Sequence, residues 1–247
     1  MEFKEAIQTL LDGGFTFVTP VHENSCHKKL QSKKPLILPK PNKNNDAVYA
    51  YLQGRGIQIE VIKQCIENNT LYEAAKTHHC VFVGFDGEKP KYACMRGTTG
   101  DLKRDAKNSD KRFGFVLPSK NPNSRNLIVF ESAADVLSHA SIYAIGGCGY
   151  DGHRLSLGGV SSLALINFLE RHMEIDSIYL SLDNDKTGKE AIDRIIKELL
   201  KDKRFSHIKM TVAPPPIGKD FSNTLQAIRK MNKEQQTIRS KEAEFLF

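Results

Sequence analysis

Three acidic side chains stand directly after apolar runs that read as strands. Glu131 follows "LIVF", and Asp183 and Asp185 follow "SIYLSL". Ligands of open α/β sheets collect at the carboxyl ends of the strands, so these positions bring all three carboxylates to one edge. Carboxylates about 4 Å apart repel by roughly 1 kcal/mol in water, and more strongly in a partly buried site. A hard divalent cation relieves that repulsion. Mg²⁺, or Mn²⁺ in its place, takes oxygen ligands, keeps several waters and needs only one or two carboxylates beside substrate phosphates. The Asp-x-Asp spacing lets two short side chains share such a cation. It equally suits a helix-capping turn, because "DNDKTGKE" leads straight into a helical pattern. Calcium is rejected. Asp183, Asp185 and Gly188 imitate the start of an EF-hand loop, but the twelfth position is Arg194 in place of a bidentate Glu.

Other chemistries lack a signal. His78, His79 and Cys80, like Cys26 and His27, form neither a CxxC nor an HxxxH pair, so no zinc is expected. "GGCGYDG" lacks the strand and helix setting of a dinucleotide loop or a Walker motif. The stretch "MRGTTGDLKRDAKNSDKRFGF" does carry a pattern. It supplies Arg96, Lys103, Arg104, Lys107, Lys111 and Arg112 among Gly, Thr, Ser and Phe, a composition that suits either a nucleic-acid backbone contact or a solvated loop. The net charge of +7 and pI near 9.1 favour a polyanionic partner, since Lys and Arg gain by displacing counterions from phosphates. Five widely spaced cysteines with no signal peptide ahead of them read as reduced thiols. No apolar run approaches the roughly 20 residues that span a bilayer, so a cytoplasmic protein without a membrane partner is expected.

The elements that must position these residues follow from periodicity. Phe3, Ala6, Ile7, Leu10 and Leu11 predict a short helix over 3–11, and 22–45 reads as a basic linker rich in Lys, Pro and Asn. Two apolar faces split by Gly54-Arg55-Gly56 predict a helical hairpin, and "CVFVGF" and "KYACMR" around Asp86-Gly87 predict a β-hairpin. From Asn126 strands and helices alternate. "LIVF", "IYAI", "SIYLSL" and "IKMTVA" are the expected strands, each but the last followed by a helix, which argues for βαβ units on a buried parallel sheet. The division expected is 1–45 as helix and linker, 46–122 as a small α+β front domain, 123–225 as an α/β domain, and 226–247 as an exposed helix or tail.

Four pieces in this order, "LIVFESAADVLSHA", "LSLGGVSSLAL", "IYLSLDNDKTGKEA" and "PIGKDFSNTL", resemble the Toprim domain of bacterial primases, topoisomerases, small nucleases and recombination proteins. Upstream, "AYLQGRGIQIEVIKQCIENNTLY", "CVFVGFDGEKPKYACMRG" and "RDAKNSDKRFGF" resemble the uncharacterised domain fused to Toprim in proteins of bacterial plasmids and integrative elements. They are similar, more distantly, to the segment before Toprim in replicative primases. "FKEAIQTLL" is similar to the helix that closes a primase-type zinc module, whose ligands would precede Met1. The resemblance implies a Rossmann-like, mainly parallel four-stranded sheet. It makes Glu131 a metal ligand or general acid/base, Asp183 and Asp185 the metal pair, and Asp135 and Asp220 further metal-site acids. Lys219 becomes a phosphate contact, and Gly158 and Gly159 the turn beside the metal. It departs from primases at Ser132, where they carry Gly, and at Ser222, where they carry another acid. The implied function is primase-like nucleotidyl transfer on single-stranded DNA in a bacterial cytoplasm, with nucleotides and other replication or mobilisation proteins as partners. A Toprim nuclease and a non-catalytic DNA-binding accessory protein are the alternatives.

Overall fold

In a computed structural model of the chain, residues 16–18 and 34–244 are described, with side chains over 34–238. The predicted helix over 3–11 and the first part of the linker lie outside the described residues. At the centre, β7 (Asn126–Phe130) and β9 (Ser177–Leu180) pair in parallel. β8 (His153–Ser156) joins β7 on one side, and β10 (Lys209–Val212) joins β9 on the other, both in parallel. These four strands are the expected mainly parallel sheet. Both of its edges are extended by short antiparallel strands, β1 (Thr16–Val18) on β10 and β6 (Phe115–Leu117) on β8. Neither edge strand was expected, because three residues carry too little periodicity to register.

One expected strand is corrected. "IYAI" is the last turn of helix α3 (Ala133–Ile145), and the strand is the polar-looking "HRLS" instead. A short apolar run fits a buried helix as well as a strand, and no breaker interrupts α3 before Gly146. In β8, by contrast, Leu155 faces one apolar core while Arg154 and Ser156, also buried, face the other side, which hides the strand from a hydropathy reading.

The front region begins with helices α1 (Asp46–Gly54) and α2 (Ile59–Glu67), followed by an antiparallel sheet in the order β2 (Leu71–Glu73), β3 (Cys80–Asp86), β4 (Lys89–Arg96) and β5 (Lys103–Asp105). One face of this sheet, with Val81, Val83, Ala93 and Met95, is covered by Leu36 and Leu38 of the extended lead-in. The opposite face carries Cys80 and Phe82 into a core shared with the large sheet, where Phe82 meets Phe115 edge-on at 5.4 Å.

That shared core joins α1, α2, β7, α3 and helix α6 (Phe221–Glu244) through Leu52, Ile62, Phe130, Leu137 and Leu225. Helices α4 (Leu163–Arg171) and α5 (Lys186–Lys201) close the other face of the large sheet over Val129, Leu165, Ile178 and Ile195. Helix α6 runs through position 225 without a break, and Ile228 is buried three residues on. Arg229 then donates from Nε to the carbonyl of Gly56 at 2.7 Å, tying this helix to the front hairpin. Among the described residues, no helix is long and apolar enough to cross a membrane.

Candidate active site

The carboxyl ends of β7 and β9 carry the acids. Glu131 is the residue after β7, and its carbonyl accepts the N–H of Gly159 at 3.0 Å. Asp183 and Asp185 lie between β9 and α5, and the N–H of Asn184 between them donates to the carbonyl of Lys219 at 2.7 Å. Backbone bonds therefore stitch four separate loops together in two pairs. Gly188, in the first turn of α5, packs against the backbone of Asp183 so closely that any Cβ would collide with its carbonyl oxygen.

Asp185 is the N-cap of α5, its Oδ1 accepting the N–H of Gly188 at 2.8 Å. The capping alternative is thus realised, and it leaves the other oxygen free for a second role. The Lys219 ammonium lies 3.0 Å from Oδ2 of Asp185 and 3.5 Å from Oδ2 of Asp183, bridging the pair. The N–H of Gly188, and then Lys219, hold the Asp185 carboxyl below its ordinary range. Burial raises Asp183, with Lys219 opposing and Asp220 reinforcing the shift. Burial also raises Glu131, with Asp183 and then Asp185 adding to it and Lys103 and Lys219 working against it. The three predicted residues are electrostatic neighbours.

Asp135 and Asp220 have other engagements. Asp135 is 5% exposed, which excludes a plain solvated helix position. The Ser132 hydroxyl donates to its Oδ2 at 2.6 Å and also caps α3. Burial, opposed in part by Ser132, pushes the Asp135 carboxyl up to about 7, with Asp220 and Asp183 contributing. Asp220 caps α6, its Oδ1 accepting the N–H of Asn223 at 2.7 Å. Both departures from the primase pattern have structural roles here. Ser132 supplies that cap, and Ser222 bonds to Ser138 at 3.2 Å between α6 and α3.

Among the described residues, no three His, Cys, Asp or Glu side chains converge into a group able to hold a metal by themselves. The donor chemistry fits a hard cation held in part. Two carboxylate oxygens already share one positive group, and Mg²⁺ or Mn²⁺ would complete its coordination with water and phosphate.

The basic residues divide. Lys103 and Lys111 line a cavity of about 230 Å³ with Tyr92, Asp105, Ser132 and Gly158, where the front sheet faces the start of α3. Lys111 pairs with Asp105 at 3.0 Å, and the Tyr92 hydroxyl donates to the same carboxylate at 2.9 Å. Arg104, paired across from Met95 on β4, borders the same cavity. Arg96 donates from Nε to the Tyr51 hydroxyl at 3.2 Å. Arg112 makes a forked bond to Asp110, with the shorter arm at 2.6 Å, so its guanidinium is committed within the fold. Lys107 contributes its carbonyl to the N–H of Ile37. Gly158 has φ +63 and Gly159 φ +138, and a Cβ on Gly158 would collide with the Tyr92 hydroxyl. Gly158 thus lets Tyr92 of the front sheet approach the site. Tyr92 and Asp105 escaped the sequence reading. The signal was the shared face of β4 and β5, visible only once their register is known.

Comparison with known proteins defines the class. Residues 128–225 match the family described as Toprim-like, and residues 50–121 match the one described as a protein of unknown function (DUF3991). The chain therefore carries a Toprim-like domain behind a front region of the second family. Among individual relatives, it is 28% identical over 216 residues to an uncharacterized Bacillus anthracis protein, pXO2-78. The match takes in 78% of this chain and 59% of that relative, so the chain spans well under two thirds of its length. The fold resembles the primase fragment of the bacteriophage T7 primase-helicase protein, with TM-score 0.52 at 18% identity over 74% of this chain and 72% of that one. It also resembles the primase domain in a T7 lagging-strand DNA polymerase complex, with TM-score 0.50 at 17% identity over 73% and 87%.

Proposed function

We propose that the chain is a Toprim-class enzyme performing primase-like nucleotidyl transfer on single-stranded DNA, in replication or transfer of a mobile element. The observation that carries this reading is the Asp183 and Asp185 pair bridged by one ammonium, at a strand edge shared with the electrostatically coupled Glu131. Such a pair can exchange its built-in cation for Mg²⁺ or Mn²⁺. That ion, when bound, offsets charge on the transferred phosphate and the leaving pyrophosphate. Asp183 and Asp185 hold it. Lys219, released from the pair, meets a phosphate oxygen, and Glu131 orients the attacking 3′-hydroxyl. Lys103 and Lys111 guide the strand by its phosphates. The likeness to T7 primase supports this reading, because the primase domains in the polymerase complex are bound to an RNA/DNA hybrid and dTTP. Nucleotides and single-stranded DNA are accordingly the proposed partners, with other replication or mobilisation proteins beside them.

Labelled nucleotide incorporation on single-stranded template, with Mg²⁺ or Mn²⁺, tests the reading. Primers are expected from the wild type. Glu131→Gln and Asp183→Asn should each lower the yield about a hundredfold or more while leaving the melting temperature near wild type. The raised protonation of Glu131 also favours a second reading, a Toprim nuclease in which this carboxyl exchanges a proton with the attacking water. Metal-dependent nicking without incorporation would replace the primase by that nuclease. Salt-sensitive binding with neither activity would leave an accessory role.

A further inference from the structure

Arg154 is a buried cation with no carboxylate beside it among the described residues. It stands on β8 under α3 and is 7% exposed. Its Nε donates to Nδ1 of His139 at 2.9 Å, and its guanidinium lies 4.7 Å from the ring centroid of Tyr150 and 5.9 Å from that of Tyr143. None of these partners is an acid. Burial, and then Arg154 itself, hold His139 well below its ordinary pKa and keep it neutral. Burial lowers Arg154 only to about 10, so it stays charged at neutral pH. Its Nη1 and Nη2 form no hydrogen bond to a described residue. Buried charges in proteins are normally paired, because an isolated one loses its hydration with nothing in exchange.

The arginine borders a cavity of about 770 Å³ between α2, the second half of α3 and the loops around 119 and 150. Tyr150 borders the same cavity, and its hydroxyl is buried with no hydrogen-bond partner among the described residues. Lys63 and Lys120 add positive charge to the lining, and Glu60 and Glu67 add negative charge on the α2 side. Asp151, also in the lining, is occupied by Asn121 at 3.0 Å and Ser119 at 3.3 Å. None of the strand-end acids takes part. The size lies within the roughly 300–1,000 Å³ usual for small-molecule sites.

We propose that this cavity binds the phosphate group of a small molecule, with the outer nitrogens of Arg154 as a forked anchor and the Tyr150 hydroxyl as a second donor. A guanidinium fork matches phosphate oxygens in geometry and charge. The aromatic wall of Tyr143 and Tyr150 accommodates a base or another planar group. The phosphate would be either free or carried by a nucleotide, and the two are separable.

Inorganic phosphate and adenosine monophosphate are titrated separately into the full chain, at constant ionic strength with EDTA present, and followed by calorimetry and thermal melting. Saturable binding is expected for the wild type. Stronger binding of the nucleotide assigns it as the source, and equal binding assigns free phosphate. Arg154→Met should weaken binding about tenfold or more, and Tyr150→Phe should weaken it measurably while keeping the ring. Lys103→Ala, in the catalytic cleft, should leave it unchanged. The proposal is overturned if neither compound binds saturably. It also fails if Arg154→Met and Tyr150→Phe bind like wild type, or if Lys103→Ala removes the binding.

Discussion

Lys219 gives the strand-end acids a positive partner that the proposed divalent ion would have to displace. More than half of its side chain is exposed, so the ion pair itself adds little stability, and its weight lies in competition. Lys219→Ala should therefore show a larger Mg²⁺-induced rise in melting temperature than wild type, together with weaker nucleotide affinity. An unchanged Mg²⁺ response would separate Lys219 from the cation site. Asp135 makes a different prediction, through protonation. Its folded pKa of about 7 lies above the value of about 3.9 for an unfolded Asp. The folded chain thus holds the extra proton between these limits, and stability falls as pH rises through that window. Asp135→Asn cannot ionise. In EDTA it should melt above wild type at pH 8, by up to about 4 kcal/mol in stability, and the gap should narrow as the pH falls and close near pH 4. Parallel pH profiles for the two proteins would contradict the assignment.

At the level of elements, the site depends on how two helices begin. The first turn of α5 rests on the backbone of Asp183 because position 188 has no Cβ. Gly188→Ala should push this loop out of place, costing roughly 1–3 kcal/mol and most of the Mg²⁺ response, both readable by thermal melting. Helix α3 starts at Ser132, whose hydroxyl serves the helix and Asp135 together. The start of α5 was legible in the sequence, since Asp before a helical pattern signals a cap, whereas the Ser132 cap was not read there. Nor was the strand β8. Its Arg154 and Ser156 look like loop residues until the pairing with β7 shows them facing a buried helix.

Across the whole molecule, the front sheet and the Toprim-like sheet meet over one apolar core, and the basic cavity lies where their polar edges face each other. Contacts to phosphates release counterions, so single-stranded DNA binding should fall steeply with salt and show little sequence preference. Lys103→Ala should reduce the slope of that salt dependence by about one, whereas Arg112→Ala should chiefly lower stability because its charge is spent on Asp110. Equal slopes for wild type and Lys103→Ala would place the nucleic-acid path elsewhere.

By itself the sequence determined the parallel α/β class and the strand ends that carry Glu131, Asp183 and Asp185. These are local facts, set by hydropathy period and by the residue that follows each strand. Tertiary structure alone decided that Lys219 bridges the aspartates, that Arg112 is spent on Asp110, and that Tyr92 and Asp105 face the cleft. It also decided that Arg154 is enclosed with no acid beside it among the described residues. Each of these depends on which distant side chains share a small volume, and neither spacing nor composition encodes that proximity.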